Sequence, residues 1–117
     1  MVEPGLDLSA GVPVNNLPPI THLQFLILDS LAADERAGQD VRDALAKHGA
    51  KRTLPAFYEL MARLEKADLV EGSYAAKTVN GQQVRERRYR VTEAGLEAHT
   101  ATCAFYRDAM AGRLQEA

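Results

Sequence analysis

The sequence predicts a mainly α fold with one small β hairpin: three helices, the hairpin, then a long final helix. Three observations predict it. Apolar residues recur at helical spacing in the segments that begin at Thr21, Gly38 and Thr53. Asn80-Gly81 is the preferred centre of a type I′ turn. Leu96, His99, Cys103, Tyr106 and Met110 are spaced 3, 4, 3, 4, the seam of a helix packed lengthwise on another helix.

The chain has 117 residues, enough for one modest core. Apolar content of 46% and charged content of 26% are ordinary for a globular domain. No apolar run approaches the roughly 18 residues of a membrane span. The start, MVEPGLDLSAGVPVNN, has neither the basic nor the apolar region of a signal peptide. The single cysteine, Cys103, excludes an internal disulfide and a multi-cysteine metal site. These features point to a cytoplasmic protein. Net charge is −2, which argues against indiscriminate nucleic-acid binding. Yet residues 51–90 carry nine basic and five acidic side chains, so positive potential is concentrated there.

Residues 1–19 hold four of the five prolines and no periodicity, the pattern of a flexible arm. Thr21 and Gln24 fit a capping box opening a helix to about Ala33. Its apolar residues, Leu23, Phe25, Leu26, Ile27, Leu28 and Leu31, surround the cylinder nearly completely, so it needs cover on two sides. In so small a domain a partner subunit is one source of that cover. The second helix runs from about Gly38 to His48, with Ala37, Val41, Ala44, Leu45 and His48 on one face and Gly49 as its stop. Thr53 caps the third helix, and Pro55 sits in its first turn. Its expected buried stripe is Leu54, Phe57, Leu60, Met61 and Leu64. A turn at Asn80-Gly81 sets Val70 opposite Val91, Glu71 opposite Arg90, Gly72 opposite Tyr89, Ser73 opposite Arg88 and Tyr74 opposite Arg87. Alternation then puts Val70, Tyr89 and Val91 on the core side, with Arg88 and Arg90 outside. The last helix follows Thr92 and runs to about Gly112.

This order of elements is a winged helix-turn-helix followed by a long C-terminal helix. In such a module the third helix enters the major groove of double-stranded DNA and the wing tracks the backbone or minor groove. Three stretches strengthen this reading. FYELMARLEKADLV (57–70) leads into the wing, RRYRVTEAGLEAH (87–99) joins wing to last helix, and THLQFLILDSL (21–31) forms the first helix. Through them the chain resembles the PadR family of transcriptional regulators over roughly residues 20–110. The resemblance implies a winged-helix DNA-binding domain over 20–91 and a dimerisation helix over 92–117, as in the family's short subgroup. It also implies repression relieved by a small hydrophobic or aromatic effector near the dimer interface, beside Phe25, Phe105, Tyr106 and Met110. The chain departs from the family in three places. Ala37-Gly38-Gln39 replaces a histidine-glycine-tyrosine motif. Asp68 stands where a glycine usually precedes the wing. Thr53-Leu54-Pro55-Ala56 replaces serine-x-glycine-threonine, leaving few hydrogen-bonding groups to read bases.

The candidate DNA contacts are Arg52 and Thr53 at the third helix's start, Tyr58 and Arg63 along it, and Lys77, Arg85, Arg87 and Arg88 on the wing. Arg88 is favoured over Arg90 because Glu71 neutralises Arg90. The candidate dimer interface is Phe25, Leu96, His99, Cys103, Tyr106 and Met110. His22, His48 and His99 share no ligand spacing, and there is no nucleophile–base pair or phosphate loop, so neither metal, cofactor nor catalysis is expected. The depleted base-reading face and negative net charge also admit a winged helix that binds only another protein.

Overall fold

The structure is a computed structural model that describes residues 19–116, with side chains through residue 112. The arm expected over 1–19 thus lies, but for Pro19, outside the described residues. Helix α1 (His22–Leu31) opens with the predicted capping box. Thr21 Oγ1 accepts the Gln24 N–H at 3.1 Å, and Gln24 Oε1 accepts the Thr21 N–H at 3.0 Å. A two-residue strand, β1 (Arg36–Ala37), leads directly into α2 (Gly38–Lys47). Thr53 caps α3 (Leu54–Lys66), its hydroxyl accepting the Ala56 N–H at 3.3 Å. The hairpin strands β2 (Val70–Val79) and β3 (Gln82–Val91) flank Asn80 and Gly81, whose φ values of 53° and 79° are those of a type I′ turn. Helix α4 (Glu93–Glu116) follows, 24 residues and so about 36 Å long.

Helices α2 and α3 end in the same way. In each, a residue past the end turns left-handed and two N–H groups reach back to otherwise orphaned carbonyls. At α2 the turning residue is Gly49 (φ 74°), with Gly49 N–H to Ala46 and Ala50 N–H to Leu45. At α3 it is Asp68 (φ 63°), with Asp68 N–H to Glu65 and Leu69 N–H to Leu64. Asp68 therefore occupies a backbone position that suits glycine better.

All five predicted rungs of the hairpin hold, and the pairing continues to Val79 opposite Gln82. The third strand was not expected. Arg36 pairs with Tyr89 and Ala37 with Arg88, giving the antiparallel order β1-β3-β2. Two residues are too few to show alternation in sequence. Their effect is to cover the outer edge of the hairpin's base.

The core lies where α1, α2 and α3 meet that base, around Ile27, Val41, Phe57, Met61 and Tyr89. Phe57 meets Tyr89 edge to face, ring centres 6.2 Å apart. Two expected core residues fall outside. His48 is exposed because it is the C-cap of α2, past the last turn that packs. Leu54 is 44% exposed because it is the first residue of α3 and overhangs the end of the core.

Tight packing also joins α3, wing and α4. Thr92 N–H donates to Leu69 O at 3.1 Å, and Thr92 Oγ1 donates to Asp68 O at 2.7 Å while accepting the Gly95 N–H at 3.0 Å. A Cβ at Gly95 would collide with the Leu69 carbonyl and lie 2.6 Å from Val91 Cγ2. Gly95→Ala is therefore expected to cost about 1–3 kcal/mol in urea unfolding, because backbone cannot yield as a side chain can. Asp68→Gly is expected to act oppositely, gaining about 0.5 kcal/mol by removing left-handed strain against a more flexible unfolded chain. The same unfolding curves check both.

Candidate nucleic-acid interface

The start of α3 is tied to α2 by a short polar chain. Gln39 Nε2 donates to Asp43 Oδ1 at 2.9 Å, and Gln39 Oε1 accepts from Arg42 at 3.3 Å. Arg42 then donates to the Arg52 carbonyl at 3.4 Å. This chain fixes the segment carrying Lys51, Arg52 and Thr53. Both cations are exposed, and neither pairs with a carboxylate among the described residues. The Thr53 hydroxyl is occupied as the α3 cap. Tyr58 is 47% exposed, its ring 5.8 Å from that of Phe57, so it is a surface tyrosine seated on a core phenylalanine. Arg63 lies 3.5 Å from Glu59 one turn earlier, in an exposed pair of small energetic weight.

The wing's two faces divide the expected cations. Tyr74, Arg85 and Arg87 continue the face that carries Gly72 and Tyr89, toward α3. With Tyr58, Ala62 and Glu65 they line a hollow of about 510 Å³. The Arg85 guanidinium lies 4.0 Å from the centre of the Tyr74 ring and that of Arg87 4.7 Å from it. Arg87 also reaches Glu65 at 2.9 Å. Its path crosses Gly72, where a Cβ would stand 2.7 Å from the guanidinium carbon. Arg85 has no carboxylate partner among the described residues.

Lys77, Arg88 and Arg90 alternate onto the opposite face, and each is held by acid. Glu86 accepts from Lys77 at 3.0 Å and from Arg88 at 2.9 Å, Glu35 accepts from Arg88 at 2.7 Å, and Glu71 pairs with Arg90. The hydrogen bonds from Lys77, then Arg88, hold the Glu86 carboxyl below its ordinary range. The expected advantage of Arg88 over Arg90 is therefore corrected. Glu71 does engage Arg90, but Arg88 is engaged twice. The register places Glu86 one rung diagonally from Lys77, a contact legible from the turn. Glu35 and Glu65 carry no such signal in the sequence.

The expected seam of α4 also divides. His99 stacks on Phe25 of the same chain, ring centres 4.8 Å apart and planes within 2°, with its Nε2 2.8 Å from Asp29 Oδ1. Phe25 and His99 thus join α4 to its own α1. Cys103 is half-buried, while Leu96, Tyr106 and Met110 are 40%, 45% and 55% exposed. Between α1 and α4 runs an apolar groove of about 720 Å³, bounded by Ile20, His22, Phe25, Thr102, Cys103 and Tyr106. Among the described residues no cluster of His, Cys, Asp and Glu could hold a metal ion, and no helix is long and apolar enough to cross a membrane.

No family model matches the chain, and no curated protein does. Solved structures do. A PadR family transcription regulator from Clostridium difficile superposes with a TM-score of 0.61 at 20% identity, over 80% of this chain and 99% of that one. One from Eggerthella lenta gives 0.60 at 25% identity, over 80% and 79%. A PadR-like transcriptional regulator from Bacillus cereus gives 0.61 at 23% identity, over 81% and 92%. Their common architecture, shared across about four-fifths of this sequence, is the PadR-like winged helix, and that is the fold of this chain.

Proposed function

We propose that the chain binds double-stranded DNA as a homodimer and regulates transcription, acting as a repressor. The observation that carries this reading is the surface formed by the α3 start and the adjoining wing face. On it, Lys51, Arg52 and Arg85 lack carboxylate partners among the described residues, and Tyr58 of α3 lines one hollow with Arg85 of the wing. On a winged helix this surface meets the duplex, with α3 in the major groove and the wing beside the backbone. Arg52, Thr53, Tyr58 and Arg85 would set register on phosphates. Arg87 adds charge only by loosening from Glu65, and Lys77, Arg88 and Arg63 only by loosening from Glu86, Glu35 and Glu59.

Residues 20–91 form the DNA-binding part in this reading, and the helix over 92–117 the dimer part. The exposed Leu96, Tyr106 and Met110, with the groove beside Phe25 and Cys103, support a second copy covering α4. The groove's size and apolar lining suit a small hydrophobic or aromatic effector, bound where it would alter the spacing of the two α3 helices. The carboxylates holding Lys77, Arg87 and Arg88 favour a second reading, a winged helix used only to bind protein.

The salt dependence of affinity for the duplex upstream of the chain's own coding region separates the two readings. The DNA reading expects affinity to fall steeply with salt, and Arg85→Ala to flatten that slope by about 1.8, about 0.9 for each protomer of the dimer. Arg85→Ala is also expected to weaken binding more than Lys77→Ala or Arg88→Ala does. Affinity no tighter than for random DNA removes the repressor reading. For the assembly, sedimentation is expected to show a dimer that Tyr106→Glu converts to monomer. A monomeric parent refutes the seam.

A further inference from the structure

We infer that Leu54 and Pro55, at the tip of α3, select DNA through thymine C5-methyl groups in the major groove. The inference rests on the DNA reading above and deepens it. In a helix-turn-helix the first residues of the recognition helix stand against base edges. Here those residues are Leu54, 44% exposed, and Pro55, also exposed. Neither packs in the core, so their apolar surface is open to a partner.

Of the side chains around them that could read bases, Thr53, Gln39 and Glu59 are already engaged, and the cations Lys51 and Arg52 are left for phosphates. The Thr53 hydroxyl caps the helix. Both ends of the Gln39 amide are held, one by Asp43 and one by Arg42. Glu59, one turn along, is paired with Arg63. Proline has no N–H to offer. The chemistry left at the tip is apolar contact, and the one apolar group that a base pair presents in the major groove is the thymine methyl. Pressing Leu54 against guanine or cytosine would instead strip water from polar edges without replacing their hydrogen bonds. The flanking Lys51 and Arg52 fit a polyanion and commit the apolar tip to DNA instead of an apolar protein surface.

The test uses the full chain and a duplex recovered by repeated selection from a random pool. Each thymine of that duplex is replaced in turn by deoxyuridine, which keeps pairing and the O4 acceptor and removes only the methyl. The expected result is a loss of about fourfold per contacted methyl at one or two positions in each half-site. Leu54→Ala is expected to bind the thymine and uracil duplexes equally at those positions. Its exposed site makes it a poor candidate for unfolding the protein, and a thermal melt that matches the parent's confirms this. A fully uracil-substituted duplex bound as tightly as the thymine form overturns the inference and leaves DNA binding standing. Full methyl sensitivity retained by Leu54→Ala also overturns it. A parent that retains no duplex from the pool removes the DNA reading itself.

Discussion

Thr92 holds three elements with one residue. Its N–H reaches Leu69, its hydroxyl donates to Asp68, and the same oxygen accepts the N–H of Gly95 at the start of α4. The end of α3, the base of the wing and the start of α4 are thereby fixed to one another. Gly95 allows this closeness because a side chain there would meet the Leu69 carbonyl. The residues proposed to touch DNA precede Thr92 in the chain, and Leu96, Tyr106 and Met110, proposed to touch a second subunit, follow it. The angle between wing and α4 is set here, together with the Phe25–His99 stack that ties α4 to α1.

Electrostatics follow a different logic from packing. The basic middle third of the chain is not a bare positive surface. Glu35, Glu65, Glu71 and Glu86 occupy Lys77, Arg87, Arg88 and Arg90, with Glu86 shared by Lys77 and Arg88, and the exposed pairs among them contribute little to stability. Their larger effect is on potential. On the wing, among the described residues, they leave Arg85 as the cation without a carboxylate partner, so the wing's attraction to a polyanion is focused on the face it shares with Tyr74 and the opposite face is quiet.

Much of the fold was legible before any coordinates. Asn80-Gly81 set the register of ten rungs because a two-residue turn leaves no freedom in pairing. Thr21 with Gln24, and Thr53 with Pro55, announced two helix starts by local chemistry alone. Gly49 announced an end. What escaped was non-local or too short. Strand β1 is two residues, and its pairing with Tyr89 and Arg88 is decided by the position of α2. Arg87 with Glu65, and Arg88 with Glu35, depend on how helices and wing approach each other. His48 and Leu54 fit the apolar period but sit at helix ends, where periodicity continues and the core does not. Of the candidate site, the types of residue were readable and their grouping was not. Alternation split the wing cations between two faces, and Phe25 with His99 closed on each other within one chain.

Gly72 lies in mid-strand, where glycine ordinarily weakens a sheet. Its bare α-carbon lets the Arg87 guanidinium lie across β2 and reach Glu65. An alanine there would make a better strand and would also turn that guanidinium away from its acid. Because the displaced group is the far end of a flexible side chain, the backbone would feel almost nothing. A single hydrogen atom at position 72 thus acts as a valve on surface potential, separating how well the wing folds from how much positive charge it shows.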